Sequence, residues 1–271
     1  LLPLFKRDLV VAALSSGSRG NCTYVGDGTT GVLIDCGPST KRIFGLLESV
    51  GLGEAPINGV LITHEHSDHI GAARILFNRL KKRRNKAVPF YMTEGTRDGA
   101  REGCLPETVE LIEAGAAFDV GSLWVDPFTV PHDVKDPVAY RVESDGQAAA
   151  VVTDLGRPTA LVARKIRELD VLVLEHNYDV NMLLEGPYPW ALKQRIRSNH
   201  GHLSNEQAAK LLMEGVGDRL KHLVLAHLSD ENNTPELAVR SARKAIGRSK
   251  AKIQVARQLD AVGPVRIGSN H

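Results

Sequence analysis

Within six residues the chain places three of its ten histidines beside two carboxylates: His64, Glu65, His66, Ser67, Asp68, His69. The run follows a β-prone apolar stretch at residues 59–63 and precedes the amphipathic pattern Ile70, Ala73, Phe77, Leu80. It therefore reads as the loop at the C-terminal end of a strand, where catalytic groups commonly sit. In an extended loop residues two apart point the same way, so His64, His66 and Asp68 converge while His69 turns away as the helix begins. One loop can then feed two neighbouring metals. Imidazole and carboxylate suit Zn²⁺, Mn²⁺ and Fe²⁺ alike and can leave a coordination position open for water. The bland alternative is a set of surface histidines at a helix start. The density of donors and their place between a strand and an amphipathic helix argue against it.

The rest of the chain alternates the same two patterns. Apolar β-prone runs at residues 9–14, 31–34, 60–63, 123–130, 148–153, 171–174 and 223–226 read as strands. Helical patterns run through Ile43, Leu46, Leu47 and Val50 behind Ser39 and Thr40, through Ile70 to Leu80, and through Ala208, Leu211 and Leu212. Ser204 and Gln207 stand in capping-box spacing, and Thr234 then Pro235 reads as an N-cap with a first-turn proline. With no long Ser/Gly/Pro linker and no internal repeat, this is one α/β body.

Composition adds bounds. Of 271 residues 42% are apolar and 24% charged, enough for a substantial core, and a net charge of +2 does not by itself identify a nucleic-acid partner. The apolar start Leu1 to Phe5 runs at once into Lys6, Arg7 and Asp8, and no stretch approaches the roughly 20 apolar residues of a membrane span. The first residue is not methionine, which suggests a trimmed chain. Cys22, Cys36 and Cys104 form no Cys-x-x-Cys pair and no secretory leader precedes them, so reduced thiols in the cytoplasm are expected. The one marked charge run, Lys81, Lys82, Arg83, Arg84, Asn85, Lys86, reads first as a solvated helix end and second as a phosphate-binding patch.

The histidine run resembles the second motif of the metallo-β-lactamase superfamily, His-x-His-x-Asp-His, and five motifs in that family's order extend from Asp35 to His227. The resemblance implies an α/β fold of αββα sandwich type, two facing mixed β-sheets with helices outside, filling residues 1–271 as a single domain. It also implies the site. Asp35 is similar to the first-motif aspartate, which orients the metals without coordinating them. His132 in Pro131, His132, Asp133 is similar to the third-motif histidine, Asp154 to the bridging aspartate and His227 to the last ligand. Two divalent metal ions, Zn or Mn, then follow: one held by His64, His66, His132 and Asp154, the other by Asp68, His69, Asp154 and His227. Standing alone, Asp35, His132 or Asp154 would read as a turn or packing residue.

A narrower likeness lies in four tracts: Ser16, Gly17, Ser18, Arg19, Gly20, Asn21; Gly186 to Trp190; Gly201, His202, Leu203, Ser204, Asn205; and His227 to Asn233. They resemble the YycJ-like (WalJ) branch, associated with exonuclease activity on DNA. The expected partner is thus DNA as substrate, with oligomeric state open. Asp68 is expected to hydrogen-bond the attacking water, and His202 to polarise the phosphate or protonate the leaving oxygen. Ser18, Asn21, Asn177 and Ser204 are the candidate substrate contacts. The serine and glycine tract reads equally as a tight turn or a phosphate loop, and Tyr188 and Trp190 read first as packing, second as base-stacking groups. Two departures stand out: Glu175, His176, Asn177, Tyr178, Asp179, where a small residue is expected at 176 and often histidine at 178, and the length of the basic run. The nearest alternatives are the same fold acting on a cyclic phosphodiester, thioester or lactam, and a non-catalytic nucleic-acid-binding protein with a structural metal. RNA maturation is disfavoured, because the segment from Asp154 to His227 is too short for the inserted cap of RNA-processing relatives.

Overall fold

The structure, a computed structural model, describes residues 7–268, so the apolar start Leu1 to Phe5 lies outside it. The first half of the chain runs β1 (Leu9–Ser15), β2 (Cys22–Gly26), β3 (Gly31–Ile34), α1 (Thr40–Ser49), β4 (Gly59–Leu61), α2 (Ser67–Ile70), α3 (Ala73–Arg84), β5 (Phe90–Met92), α4 (Glu94–Gly99) and β6 (Glu110–Leu111). The second half runs β7 (Phe118–Val120), β8 (Leu123–Thr129), β9 (Val138–Ser144), β10 (Gln147–Val152), α5 (Ala160–Lys165), β11 (Val171–Glu175), α6 (Val180–Glu185), α7 (Trp190–Ile196), α8 (Asn205–Gly215), β12 (His222–Ala226), α9 (Pro235–Ile246), β13 (Lys252–Val255) and β14 (Val262–Ile267).

Two seven-stranded mixed sheets result, ordered β14-β1-β2-β3-β4-β5-β6 and β13-β12-β11-β10-β9-β8-β7. Strand side chains alternate between faces, and in β1 both sets are apolar: Leu9, Val11 and Ala13 join the layer between the sheets, while Val10, Ala12 and Leu14 join the layer under the helices. The inter-sheet layer continues through Val25, Ile34, Tyr140, Val151, Val173 and Val224. Ile43, Leu47, Phe77 and Leu80 of α1 and α3 cover the first sheet. Leu211, Leu212, Ala238 and Ala242 of α8 and α9 cover the second, together with Val162 of α5. This is the αββα sandwich expected from the sequence. Among the described residues no helix is long and apolar enough to cross a membrane.

Parallel pairing of β3-β4-β5 in one sheet and β10-β11-β12 in the other sends their C-terminal ends to one edge of the sandwich. Three of the residues that follow those ends, Asp35, Asp154 and His227, have left-handed backbone, with φ of 63°, 55° and 55°. Non-glycine residues in that region are uncommon and cluster at functional sites. The loop after β3 is stitched to the histidine run by Cys36 N–H to His69 O at 2.7 Å, and the loop between β1 and β2 by Asn21 N–H to Asp68 O at 2.7 Å. The fit leaves no room at Gly37, where a Cβ would stand 1.7 Å from the Asp68 carbonyl oxygen.

Two differences from the sequence pattern are physical. The helical periodicity from Ile70 to Leu80 is interrupted at Gly71 and Ala72, so α2 is one turn that presents Asp68 and His69, and α3 begins afresh. The run expected at residues 60–63 leaves the sheet after Leu61, because the Thr63 N–H and hydroxyl bond the Asp35 carboxylate. The basic run occupies the last turn of α3, capped by left-handed Asn85, at the far end of a helix about 18 Å long from the histidine loop. There Lys81 pairs with Glu107 and Arg83 with Glu54, which supports the solvated-end reading.

One buried carboxylate ties the sheets together. Asp27 accepts from Thr29 N and Thr30 N at 2.9 Å, from Ser144 Oγ of the opposite sheet at 2.9 Å and from Ser122 Oγ. Burial alone pushes this carboxyl up, but the hydrogen bonds from Ser122, Thr30 and Thr29 outweigh it and hold the group well below the usual carboxylate range. A depressed folded-state value contributes stability above the unfolded value of about 4 and loses it as pH falls towards the folded one. Asp27→Ala is expected to cost roughly 2–3 kcal/mol at neutral pH. In urea unfolding the gap to the wild type should narrow steadily as pH is lowered below about 4; a gap that does not change with pH would contradict this.

Candidate metal centre

At the shared edge of the sandwich the structure brings together every residue the sequence nominated as a ligand. His64, His66 and His132 form one group of donors, and Asp68, His69 and His227 another, with donor atoms in each group within 4.8 Å of one another. Asp154 lies between them. Its Oδ1 is 3.8 Å from both His132 Nε2 and His227 Nε2, and its Oδ2 is 3.0 Å from His69 Nε2. His66 therefore belongs with His64, while Asp68 turns with α2 to the other group.

The outer nitrogens are fixed by the protein. His69 Nδ1 donates to Asp35 Oδ2 at 2.8 Å, His132 Nδ1 donates to the Gly201 carbonyl at 3.1 Å, and His227 Nδ1 lies 3.3 Å from Glu175 Oε1. His64 Nδ1 meets Thr63 Oγ1 at 3.0 Å. Each contact leaves Nε2 aimed inward, the arrangement that orients imidazole ligands. Inside, the contacts are of the wrong kind for a site complete in itself. His64 Nε2 faces His66 Nδ1 at 3.1 Å, and Asp154 Oδ2 and His227 Nε2 are buried with no hydrogen bond.

Charge leads to the same conclusion. Burial and neighbouring imidazoles push His64 and His66 down, so both are neutral, the form a ligand needs. Burial penalises Asp154 and Asp68 too, yet the surrounding imidazoles hold both far below the usual carboxylate range. Without a cation the anions are balanced only by protonating ligand histidines. Burial opposes that, but Asp154 with Asp35 raises His69 well above its ordinary value, and Asp154, Asp68 and Glu175 raise His227 to about 10. Buried carboxylates facing bare ring nitrogens fit divalent cations.

Glu175, to which the sequence reading gave no role, proves central. It ends β11, is fully buried, and accepts from His202 Nδ1 at 2.8 Å and from the amides of Leu155 at 2.8 Å and Leu203 at 3.2 Å. Burial pushes it up, but His202 and His227 bring it down to about 2. The sequence signal was a lone charge closing the apolar run Val171–Glu175. His202 is drawn between burial, which lowers it, and Glu175, which wins and raises it. The ring stacks on His227 at 5.2 Å and lines a cavity of about 190 Å³ over both donor groups, with His66, Asp68, His132 and Asp154. Asp68, with a side chain 21% exposed, is the most open of the carboxylates in the donor groups.

The candidate substrate contacts divide. Ser18 is exposed and lines the cavity. Asn21 is buried against the centre, its Nδ2 at 2.9 Å from His69 Nε2 and 3.3 Å from Asp68 Oδ2. Asn177 donates to the His227 carbonyl at 2.8 Å, and Ser204 Oγ caps α8 by accepting from Gln207 N at 3.1 Å, so its hydroxyl faces the helix. Lys193 is buried, with Nζ donating to Leu184 O and Gly186 O at 2.7 Å, which gives it a packing role. Trp190 overturns the packing reading, being 60% exposed at the start of α7, while Tyr188 lines the outer cavity. His176 is buried and lowered to about 4 by burial, outside the donor groups.

The order of donors along the chain, carried at one edge of two facing sheets, coincides with a family model described as a β-lactamase superfamily domain, which matches residues 30–227. The chain belongs to the metallo-β-lactamase superfamily. Within it, the exodeoxyribonuclease YycJ of Bacillus anthracis is 35% identical over 238 residues, 87% of this chain and 88% of that protein. The exodeoxyribonuclease WalJ of Streptococcus pneumoniae is 35% identical over 230 residues, 83% of each. The fold is shared with the metallo-β-lactamase fold protein YhfI from Bacillus subtilis, at a TM-score of 0.71 and 15% identity over 94% of this chain and 99% of that one.

Asp35→Asn tests the outer support of the centre, because asparagine tolerates the left-handed backbone at 35 while removing the carboxylate from His69. Metal affinity, read by competition with a chelator, is expected to fall about 10- to 100-fold. An unchanged affinity would contradict the assigned role.

Proposed function

We propose that this chain is a metal-dependent phosphodiesterase that degrades DNA from an end, using two divalent ions, zinc or manganese. The observation that carries this is the pair of donor groups sharing Asp154 beneath a cavity whose wall bears His202, held from behind by buried Glu175. The exonuclease names of the relatives supply the substrate class. A cytosolic location accords with the free thiols of Cys22, Cys36 and Cys104.

His64, His66, His132 and Asp154 would hold one ion, and Asp68, His69, Asp154 and His227 the other. Bound there, the ions would supply positive charge to the phosphate and lower the pKa of a coordinated water towards about 7. The protein's own groups do the rest. Asp68 lines the cavity and would accept a hydrogen bond from the attacking water, fixing its direction. His202 is clamped through Nδ1 by Glu175, leaving Nε2 to donate to a phosphate oxygen or to the departing one. Leu192 and Ile196 of α7 form an apolar part of the wall that limits bulk water.

Elemental analysis of metal-replete protein is expected to give two ions per chain, and His66→Ala to abolish hydrolysis while far-ultraviolet circular dichroism stays unchanged. Near-normal turnover in His66→Ala, free of contaminating nuclease, would refute the proposal. His202→Ala should keep both ions and lose about 10² to 10⁴ in turnover, the usual worth of a positioned acid or base. Loss of an ion would make His202 a ligand, and unchanged turnover would make it structural. A steeper loss on poor leaving groups identifies proton donation, and equal losses identify phosphate polarisation.

A further inference from the structure

The cavity over the donor groups opens on two sides of unlike chemistry. On the His227 side it continues into a space of about 490 Å³ lined by Asn177, Tyr188, Ser229, Asp230 and Glu231, where the cation Arg19 is paired with Asp230 at 2.9 Å. On the His132 side lies an open groove of about 460 Å³ floored by Val130, Pro131, Val134, Pro137 and Leu161. Its lining cations are Lys135 and Arg157, both exposed like the neighbouring His200, and no carboxylate lines it. His132 lines both this groove and the metal cavity, so the two adjoin across its ring. Apart from Leu161 of α5, the named residues come from three loops, after β8, after β10 and before α8, and those loops also carry His132, Asp154 and His202. Anything lying in the groove is therefore held in register with the donor groups.

We propose that this groove is the track for a single polynucleotide strand, with the terminal nucleotide on the His227 side of the metals and the continuing strand on the His132 side. The inference rests on the phosphodiesterase reading above. Charge decides the direction. A polyanion gains on the carboxylate-free side and is repelled by Asp230 and Glu231 on the other, whereas one terminal unit brings little charge. The apolar floor favours an unpaired strand, whose bases and sugars can reach it, over a duplex, which presents phosphates and buries its bases.

The test measures KM, kcat and salt dependence of Arg157→Ala/Lys135→Ala on an end-labelled single-stranded oligonucleotide, with a small chromogenic phosphodiester run in parallel. The far-end pair Lys82→Ala/Arg84→Ala serves as a control of equal charge change. Loss of two phosphate contacts should raise KM roughly tenfold and reduce the salt slope by about 1.4, taking about 0.7 per contact for a single strand. Turnover of the small diester should stay within about twofold. If the wild type degrades the oligonucleotide and the groove variant keeps its KM and slope, the track is wrong while the nuclease reading stands. Equal losses in the far-end control would likewise overturn the track, by reducing the effect to net charge. If the wild type hydrolyses the small diester and leaves the oligonucleotide intact both alone and in duplex, the nuclease reading fails and takes the track with it, whereas degradation of the duplex alone overturns the track and leaves the nuclease reading standing.

Discussion

The contact on which the rest depends is that of one buried carboxylate, Asp154, with imidazoles from both donor groups. It reaches His69 through Oδ2 and His132 and His227 through Oδ1. A charge so buried is costly unless compensated, and here compensation comes from histidines that are themselves needed as ligands. The fold solves this by placing the anion where cations are to bind. Parallel strands in both sheets end at the same edge, and left-handed residues turn Asp35, Asp154 and His227 out of the strands and into the site. A rigid sandwich thus supplies what flexible loops could not, seven donors fixed on four segments that are far apart in sequence.

Support extends one layer outward. Asp35 holds His69, the Gly201 carbonyl holds His132 and Glu175 holds both His227 and His202, so the loops around the centre constrain one another. Glu175 also accepts from Leu155 N, next to Asp154, and Leu203 N, next to His202. One side chain at the end of β11 therefore sets the spacing between a metal-donor loop and the loop carrying the proposed acid.

The donors were legible in the sequence because the chemistry is concentrated there. Six residues after an apolar strand hold four of the ligands, and Asp35, His132, Asp154 and His227 each follow a β-prone run in a recognisable order. The longer strands could be read for the same reason, since β1, β10, β11 and β12 are apolar on both faces. Strands such as β5 and β6, of three and two residues, are too short to carry a period. β9 is absent from the strands read in the sequence, because half-buried Arg141 and Glu143 alternate with buried Tyr140, Val142 and Ser144 and break up any apolar run. Side-chain direction was the harder part. Sequence alone could not tell that Ser204 faces its own helix, that Lys193 is buried, or that Trp190 stands in solvent. The groove of Lys135, Arg157 and His200 exists only once three loops meet.

End-labelled DNA, single-stranded and duplex in parallel, incubated with metal-stripped protein and then with the same protein reloaded with Zn²⁺ or Mn²⁺, measures the central claim directly. The account predicts no cleavage without metal and, on reloading, loss of label or progressive shortening by single nucleotides from one end. DNA left full-length by protein that carries two ions per chain would contradict it.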